Sequence, residues 1–429
     1  MAISQNFPNT RPSLNLNFAR SKTLDPRITF IRTQTGSEAS YVDESGIIRY
    51  ASADEPRFDH DPETGRCLGL MIEEQQTNLF TYSVVSSTGW TISNSTVTAN
   101  DATAPDGTNT AARIQVHSPG SSNGYVAVLS LSVTSGTEYT FSFYVKSQSG
   151  SSGTWGINIY DHGGANIGHH RTDVNVTGEW TRVSYSYTPT SGTINVYISD
   201  DRDNTGSISD AYVWGAQIES DKDASSYIPT SGGTKTRNAD NVWMSDISDL
   251  FNPSQGTSVI KFSFRYDGVH NDPFMDLFAF RDHSTGVLLG VRGNSNNSQF
   301  HFSSYNKLVD DGNGNGTGSF IWLSPTPTRN LQHTVAVSYA STYFRLYRND
   351  ETSFSSTSTN YGIGKAITDE YIPHINPSTG ITTSNFTSLG FGHNGTTTVN
   401  SKINCNIESF AYYPSEVGVD NIKTFTRDQ

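Results

Sequence analysis

An all-β chain is the first expectation, and three features of the sequence carry it. Charged residues make up only 16% of the 429 residues while aromatics reach 11%, with Gly, Ser, Thr and Asn filling much of the rest; that mixture suits pleated, half-buried strands joined by tight turns. Short runs of alternating apolar and polar residues recur roughly every ten residues. No window sustains a helical apolar period with a cap. The length exceeds what one core usually fills. The reading is therefore two antiparallel β-sandwich (jelly-roll) domains in tandem, residues 84–238 and 239–429, after an N-terminal extended and β-hairpin anchoring segment, residues 1–83.

Within the first segment, residues 1 to about 35 are polar and interrupted by Pro8, Pro12 and Pro26, which predicts an extended arm that orders on a neighbour. Tyr41 to Tyr50 reads as a hairpin about Asp43-Glu44-Ser45-Gly46. A second turn follows at Asp61-Pro62-Glu63-Thr64-Gly65, before the apolar strand Cys67 to Ile72.

In residues 84–238, runs such as TEYTFSFYVKSQ, TWGINIYD, TINVYISD and AYVWGAQIE are strand-like. Tyr139, Phe141, Phe143 and Val145 alternate with small or polar residues to line a core. In residues 239–429, SVIKFSFRYDG, FMDLFAFRD, GVLLGVRG and QHTVAVSYA repeat the period of two. A flexible loop is expected at Asp310 to Gly318, and a short helix from Glu416 to Phe425. Neither block copies the other, which disfavours a solenoid or propeller.

Several stretches carry a resemblance to known families. PRFDHDPETGRCLGLMIEEQQTNL, Pro56 to Leu79, resembles segments of tailed-bacteriophage structural proteins, those of cyanophages in particular. APDGT at Ala104, SGTEYTFSFYVK at Ser135, GEWTRVS at Gly178 and VWGAQIE at Val213 are similar to jelly-roll carbohydrate-binding modules. SSYIPTSGGTKTRNAD, Ser225 to Asp240, also matches phage versions and forms the expected exit from that domain. HTVAVSY, RLYRND, LGFGHNG and IESFAYYP resemble a laminin-G or concanavalin-A-like sandwich. The resemblance implies a virion structural protein, a tail fibre or receptor-binding protein on the tail or capsid surface. Its N-terminal segment would dock on other virion proteins, and its sandwiches would adhere to host cell-surface polysaccharide. Phage fibres also imply a homotrimer. Two alternatives stay open: a glycan-degrading tailspike enzyme or accessory module, and a purely structural capsid or tail decoration fibre.

Charge and cysteine content narrow the partners. With 28 basic and 41 acidic residues the formal charge is −13, which argues against nucleic acid. No apolar run is long enough to span a bilayer and the N-terminus lacks a secretory pattern. The expectation is a protein made in the host cytoplasm, neither secreted nor inserted in a membrane. Cys67 and Cys405 read as small apolar residues rather than as a disulfide or a zinc site.

The chemistry points to binding without catalysis. The paired carboxylates that glycosidases require, sought as an E-x-D-x-x-E strand, are absent: MDLFAFRD carries Asp276 and Asp282 with no Glu. Ser-, metallo- and P-loop signatures are absent too. A sugar site needs aromatic faces beside amides, carboxylates or guanidinium groups. Two stretches offer them: Trp155, Tyr160, Asp161, His162, His169, His170 and Arg171, and the cluster Asp200, Asp201, Arg202 and Asp203. The competing reading makes Trp155 and Tyr160 core aromatics and the Asp cluster a solvated turn. Trp90, Trp180 and Trp214 are expected in the core. No cofactor is expected, although a structural calcium is possible at Asp106, Asp210 and Glu219. His60, His169 and His170 are too sparse for zinc.

Overall fold

A computed structural model describes residues 11–33, 36, 39–117, 124–200, 206–252, 254–265, 275–282, 287–294, 299–310, 316–323, 330–340, 343–348, 375–376, 380–381, 386–392 and 403–417. It is nearly all β, as the composition predicts, and strand pairings are antiparallel throughout the described residues.

The N-terminal stretch holds β1 (Leu14–Asn17), the single turn α1 (Phe18–Ser21), β2 (Ile28–Ile31), β3 (Ala39–Val42), β4 (Ile48–Ala51), β5 (Arg57–His60), β6 (Cys67–Ile72) and β7 (Gln76–Asn78). The first sandwich follows. Its strands are β8 (Thr91–Ser93), β9 (Ser95–Ala102), β10 (Ala111–Val116), β11 (Tyr125–Ser132), β12 (Tyr139–Ser147), β13 (Gly153–Asp161), β14 (Gly168–Val176), β15 (Thr181–Tyr187), β16 (Thr193–Asp200) and β17 (Asp210–Glu219). They form a back sheet ordered β15-β12-β17-β10-β9 and a front sheet ordered β14-β13-β16-β11-β8. Phe141, Phe143, Trp155, Ile157, Ile159, Ile194, Val196 and Ile218 fill the space between them, the alternation of side chains sending every second residue inward.

The remaining strands are β18 (Lys235–Arg237), β19 (Asn241–Ser245), β20 (Gly256–Phe264), β21 (Met275–Asp282), β22 (Val287–Asn294), β23 (Gln299–Asp310), β24 (Gly316–Leu323), β25 (Gln332–Ala340), β26 (Tyr343–Arg348), β27 (Ile375–Asn376), β28 (Gly380–Ile381), β29 (Ser388–Phe391) and β30 (Cys405–Tyr413). One seven-stranded sheet runs β26-β25-β20-β30-β6-β5, with β1 also on β30; the other runs β2-β19-β29-β21-β22-β23-β24. Of the loop expected at Asp310 to Gly318, Asp310 ends β23 and residues 316–318 begin β24, while residues 311–315 lie outside the described residues. Of the helix expected at Glu416 to Phe425, Glu416 and Val417 are not helical and residues 418–425 lie outside the described residues.

The register regroups the chain relative to the sequence reading. Residues before the first sandwich are not a free arm: β1, β5 and β6 belong to one sheet of the second sandwich and β2 to the other. Leu14, Leu16, Phe18, Ile28, Phe30, Leu70 and Ile72 are buried in the same core as Phe262, Phe278, Phe391 and Phe410. Pro12 and Pro26 lie outside these strands and Pro8 outside the described residues, and the strands themselves are only four residues long, too short for periodicity to single out. Gly69 (φ +101) lets β6 approach β30, because a Cβ there would sit 2.0 Å from the Ile407 carbonyl oxygen. The second sandwich is therefore discontinuous in sequence, and the first is inserted into it. The hairpin β3–β4 pairs Tyr41 with Arg49 and Val42 with Ile48, as its turn residues predict, and packs on the back sheet of the first sandwich against Trp214 and Tyr227.

Entry and exit of the insertion pair as a two-stranded neck, β7 with β18. Beside it lies a buried ionic cluster. Arg57 donates to Glu73 Oε2 at 2.7 Å and to Asp240 Oδ2 at 2.6 Å. Arg32 reaches Asp240 Oδ1 at 2.9 Å, and Arg237 lies 3.2 Å from Glu73 Oε2. Arg265, from the strand end after β20, pairs with Asp59 and Glu73. The side chains of Arg32, Arg57, Arg237, Glu73 and Asp240 have no solvent exposure. Burial opposes the charge on Glu73, but Arg237, Arg57 and Arg265 outweigh it and hold the carboxyl well below the ordinary range. Removing one member of such a cluster strands the others in a low-dielectric interior. Glu73→Gln is expected to cost about 3 kcal/mol or more of stability, measured by chemical denaturation of the full chain; an unchanged midpoint would show that the cluster does not hold the neck.

Candidate functional site

The front sheet turns a polar and aromatic face outward. On β13, Ile157 and Ile159 point into the core, so Asn158 and Tyr160 point out. The register with β14 sets His169 opposite Tyr160, Arg171 opposite Asn158 and Asp173 opposite Gly156. On the other flank, β16 sets Asn195 opposite Tyr160 and Tyr197 opposite Asn158. Tyr125 of β11 completes the row.

The rings form a continuous series across four strands. From His162 through Tyr160, His169 and Tyr197 to Tyr125, successive centroids lie 5.0, 4.6, 6.1 and 5.3 Å apart. Hydrogen bonds fix the polar floor. Asn158 Nδ2 donates to Asp200 Oδ2 at 2.8 Å and meets His169 Nδ1 at 2.7 Å. Arg171 Nε lies 3.2 Å from the same Asp200 oxygen. Asn195 Oδ1 accepts from the Ser130 amide at 2.9 Å and pairs with His162 Nε2 at 2.8 Å. Asn158, Asn195, Tyr197 and Asp200 are buried beneath a rim in which His162, His169 and Asp173 are exposed and Tyr125, Tyr160 and Arg171 half-buried. Such a face offers ring stacking beside planar hydrogen-bonding groups.

Of the residues proposed from sequence, Tyr160, His162 and Asp200 meet here, joined by His169 and Arg171. Trp155 does not. It is 1% exposed in the core, its indole N–H donating to the Ile198 carbonyl at 2.7 Å, because position 155 has the inward parity of Ile157. Asp161 also turns away from the face. It accepts from the Thr190 amide at 2.7 Å, from Tyr187 at 3.1 Å and from Ser191. Burial raises its pKa, but these hydrogen bonds prevail and hold the carboxyl at about 2. It is a structural tie between β13 and the turn before β16. Asp201 and Arg202 lie outside the described residues, as does Asp203. His170 faces the other way and pairs with Tyr187 at 2.9 Å. Asn158, Asn195, Tyr197, Tyr125 and Asp173 were missed. The signal for four of them was present as the outward positions of GINIYD, TINVYISD and GYVAV, but the search for a sugar site weighed residue types close in sequence and not the parity and pairing of the strands that carry them.

The three calcium candidates stand apart. Asp106 closes a turn on the Thr108 amide at 3.0 Å. Asp210 is held by Arg113 through both oxygens, at 2.8 and 2.6 Å. Glu219 is fully buried against Ser225. Among the described residues, no three His, Cys, Asp or Glu side chains converge to hold a metal. Trp90 and Trp214 are buried as expected, whereas Trp180 is half-buried at the sheet margin. Cys67 and Cys405 are both free thiols.

Residues 79–199 match the family described as carbohydrate binding domain. That stretch contains the whole outward row of the front sheet. No curated protein shows significant sequence similarity to the chain. Solved structures give partial likenesses at low superposition scores. The CBM22-1 xylan-binding domain of Paenibacillus barcinonensis Xyn10C is 16% identical, over 36% of this chain and 94% of that one, with a TM-score of 0.25. A Trypanosoma rangeli sialidase complex is 11% identical over 43% of this chain and 25% of its own, with a TM-score of 0.29. A structure concerned with botulinum neurotoxin type C and gangliosides is 16% identical over 44% and 40%, at 0.30. The chain thus spans a quarter of the sialidase and two fifths of the neurotoxin structure.

Glu219 supplies a pH test of the interior behind this domain. Burial pushes its carboxyl up to about 7, so the folded protein binds that proton more tightly than the unfolded chain does. The resulting stability is complete below the ordinary carboxylate pKa near 4.5 and is lost as pH rises to about 7. Glu219→Gln is expected to remove this decline, on the order of 3 kcal/mol, seen as a flatter melting-temperature profile between pH 4.5 and 8 than in the parent.

Proposed function

We propose that the chain is a non-catalytic glycan-binding protein and that it holds a polysaccharide on the outer face of the front sheet. The observation that carries this reading is the ring series from His162 to Tyr125, underlaid by Asn158 and Asn195, within the stretch that matches a carbohydrate binding domain, with Asp200 bonded to Asn158 just past its end. Pyranose rings stack their apolar faces on such aromatics, and their hydroxyls meet the amides, the carboxylates and Arg171. Binding is favoured over cleavage because the two buried carboxylates nearby are already engaged, Asp161 by four donor residues and Asp200 by Asn158 and Arg171. A glycosidase keeps one carboxyl protonated and the other open to the sugar.

Tyr160→Ala is expected to weaken retention on polysaccharide about tenfold or more with little change in melting temperature. Trp155→Ala is expected to do the reverse, costing about 3–5 kcal/mol of stability as a buried aromatic while the residual folded protein still binds. Affinity electrophoresis over a panel of neutral polysaccharides, with melting curves for each variant, checks both; binding that survives Tyr160→Ala would sink the reading.

The finer assignment is a virion adhesion protein, a homotrimer on the tail or capsid surface of a bacteriophage that meets host polysaccharide through several weak sites at once. It rests on the resemblance of Pro56 to Leu79 and Ser225 to Asp240 to phage structural proteins, as the laminin-G-like reading of the second sandwich rests on its own sequence resemblance. Mass spectrometry of purified particles is expected to find the chain as a stoichiometric component; its absence from particles would reject the assignment.

A further inference from the structure

The back sheet of the first sandwich presents a second, differently charged row. Part of its outer face is covered by the hairpin β3–β4, which buries Trp214 and Tyr227 and packs against Tyr144 and Trp180. A further outward row on the same sheet, which Trp180 joins to that covered patch, is only partly shielded from solvent. Val145 pairs with Thr181, which sets Trp180 beside Lys146; Lys146 pairs with Tyr212; and Tyr212 pairs with Arg113. The row therefore alternates aromatic, cation, aromatic, cation across neighbouring strands, and all four side chains are half-buried. The Lys146 ammonium lies 5.0 Å from the Trp180 ring centroid and 5.6 Å from that of Tyr212. Arg113 is neutralised by Asp210. No described carboxylate lies within salt-bridge distance of Lys146.

We propose that this row is a second saccharide site and that it takes an acidic polysaccharide built of uronic acid units. A hexuronate carries an apolar ring face and a carboxylate on the ring edge. Trp180 and Tyr212 supply surfaces for the first, and Lys146, held between them, supplies the charge for the second. Neighbouring strands are about 4.8 Å apart, close to the advance of one pyranose unit, so a linear chain crossing the strands meets aromatic and cation in turn. The front face has the opposite balance, with Asp173 and Asp200 against Arg171. The chain as a whole is acidic, at −13, so a polyanion finds little attraction elsewhere on its surface. At 0.15 M salt, screening over about 8 Å removes most of the long-range repulsion and leaves the local contact.

Affinity electrophoresis of the full chain in gels containing polygalacturonate at about 0.15 M salt tests the assignment. The parent protein is expected to be retarded, K146Q to bind about tenfold more weakly with an unchanged melting temperature, and Tyr160→Ala to be retarded like the parent. Because Tyr160 belongs to the front face alone, failure of the front-face reading leaves this result standing, and the converse also holds. No retardation of the parent, equal retardation of K146Q, loss in Tyr160→Ala instead, or equal retardation by inorganic polyphosphate would each overturn the proposal.

Discussion

The neck cluster is the constraint on which the rest of the molecule depends. Four arginines, Arg32, Arg57, Arg237 and Arg265, share three carboxylates, Asp59, Glu73 and Asp240, in a region buried from water save at the partly exposed side chain of Arg265. These residues come from the N-terminal strands, from the exit of the first sandwich and from the second sandwich. A charge taken out of water costs several kcal/mol unless it is met by an opposite charge and by hydrogen bonds. Each segment therefore brings charges that only the others can satisfy. Ser226 adds its amide and hydroxyl to Glu73, at 2.8 and 2.6 Å, and Ser40 adds its carbonyl to Arg57 at 2.9 Å. The attachment between the sandwiches is polar and directional, where an apolar seam would tolerate sliding.

That arrangement explains why an inserted domain can be held by so short a connection. β7 and β18 have only three residues each, too few to be stable as an isolated ribbon. The cluster on one side and the hairpin β3–β4 on the back sheet fix the orientation that the ribbon alone would not. Asn78 contributes from within the neck, donating to the carbonyls of Ala216 and Ile228 at 3.1 and 2.9 Å. The front sheet lies on the far side of the first sandwich from the hairpin and takes no part in this packing, so the N-terminal segment leaves its outward row uncovered.

The sequence was legible in different degrees at different levels. Fold class followed from composition and the period of two, and the hairpin from its turn residues. The two stretches singled out by resemblance, Pro56 to Leu79 and Ser225 to Asp240, turn out to contain Arg57, Asp59, Glu73, Arg237 and Asp240, so the motif marks the neck cluster. Its meaning was hidden because the partners are 16 to 208 residues apart, and no local pattern reports such pairing. The membership of β1 and β2 in the second sandwich was hidden for the same reason. At the site, Tyr160 and His162 were visible as residue types, but the choice between Trp155 and Asn158 is one of strand parity. A tryptophan attracts attention for its chemistry; its position one step from Gly156 and two from Ile157 decides that it faces the core.

Parity also accounts for the difference between the two outward faces of the first sandwich. On β13 the inward set is Trp155, Ile157 and Ile159, which leaves small and polar residues, Gly156 and Asn158, beside Tyr160. Carboxylates from β14 and β16 therefore approach the middle of that face and make it acidic. On β12 the inward set is Phe141, Phe143 and Val145, which leaves Tyr144 and Lys146 outward. Tyr144 packs against the cluster that Ile48 of the hairpin shares with Trp214 and Tyr227, whereas Lys146, one outward step along β12, stands between Trp180 and Tyr212, so neighbouring outward positions of one strand are divided between core and surface.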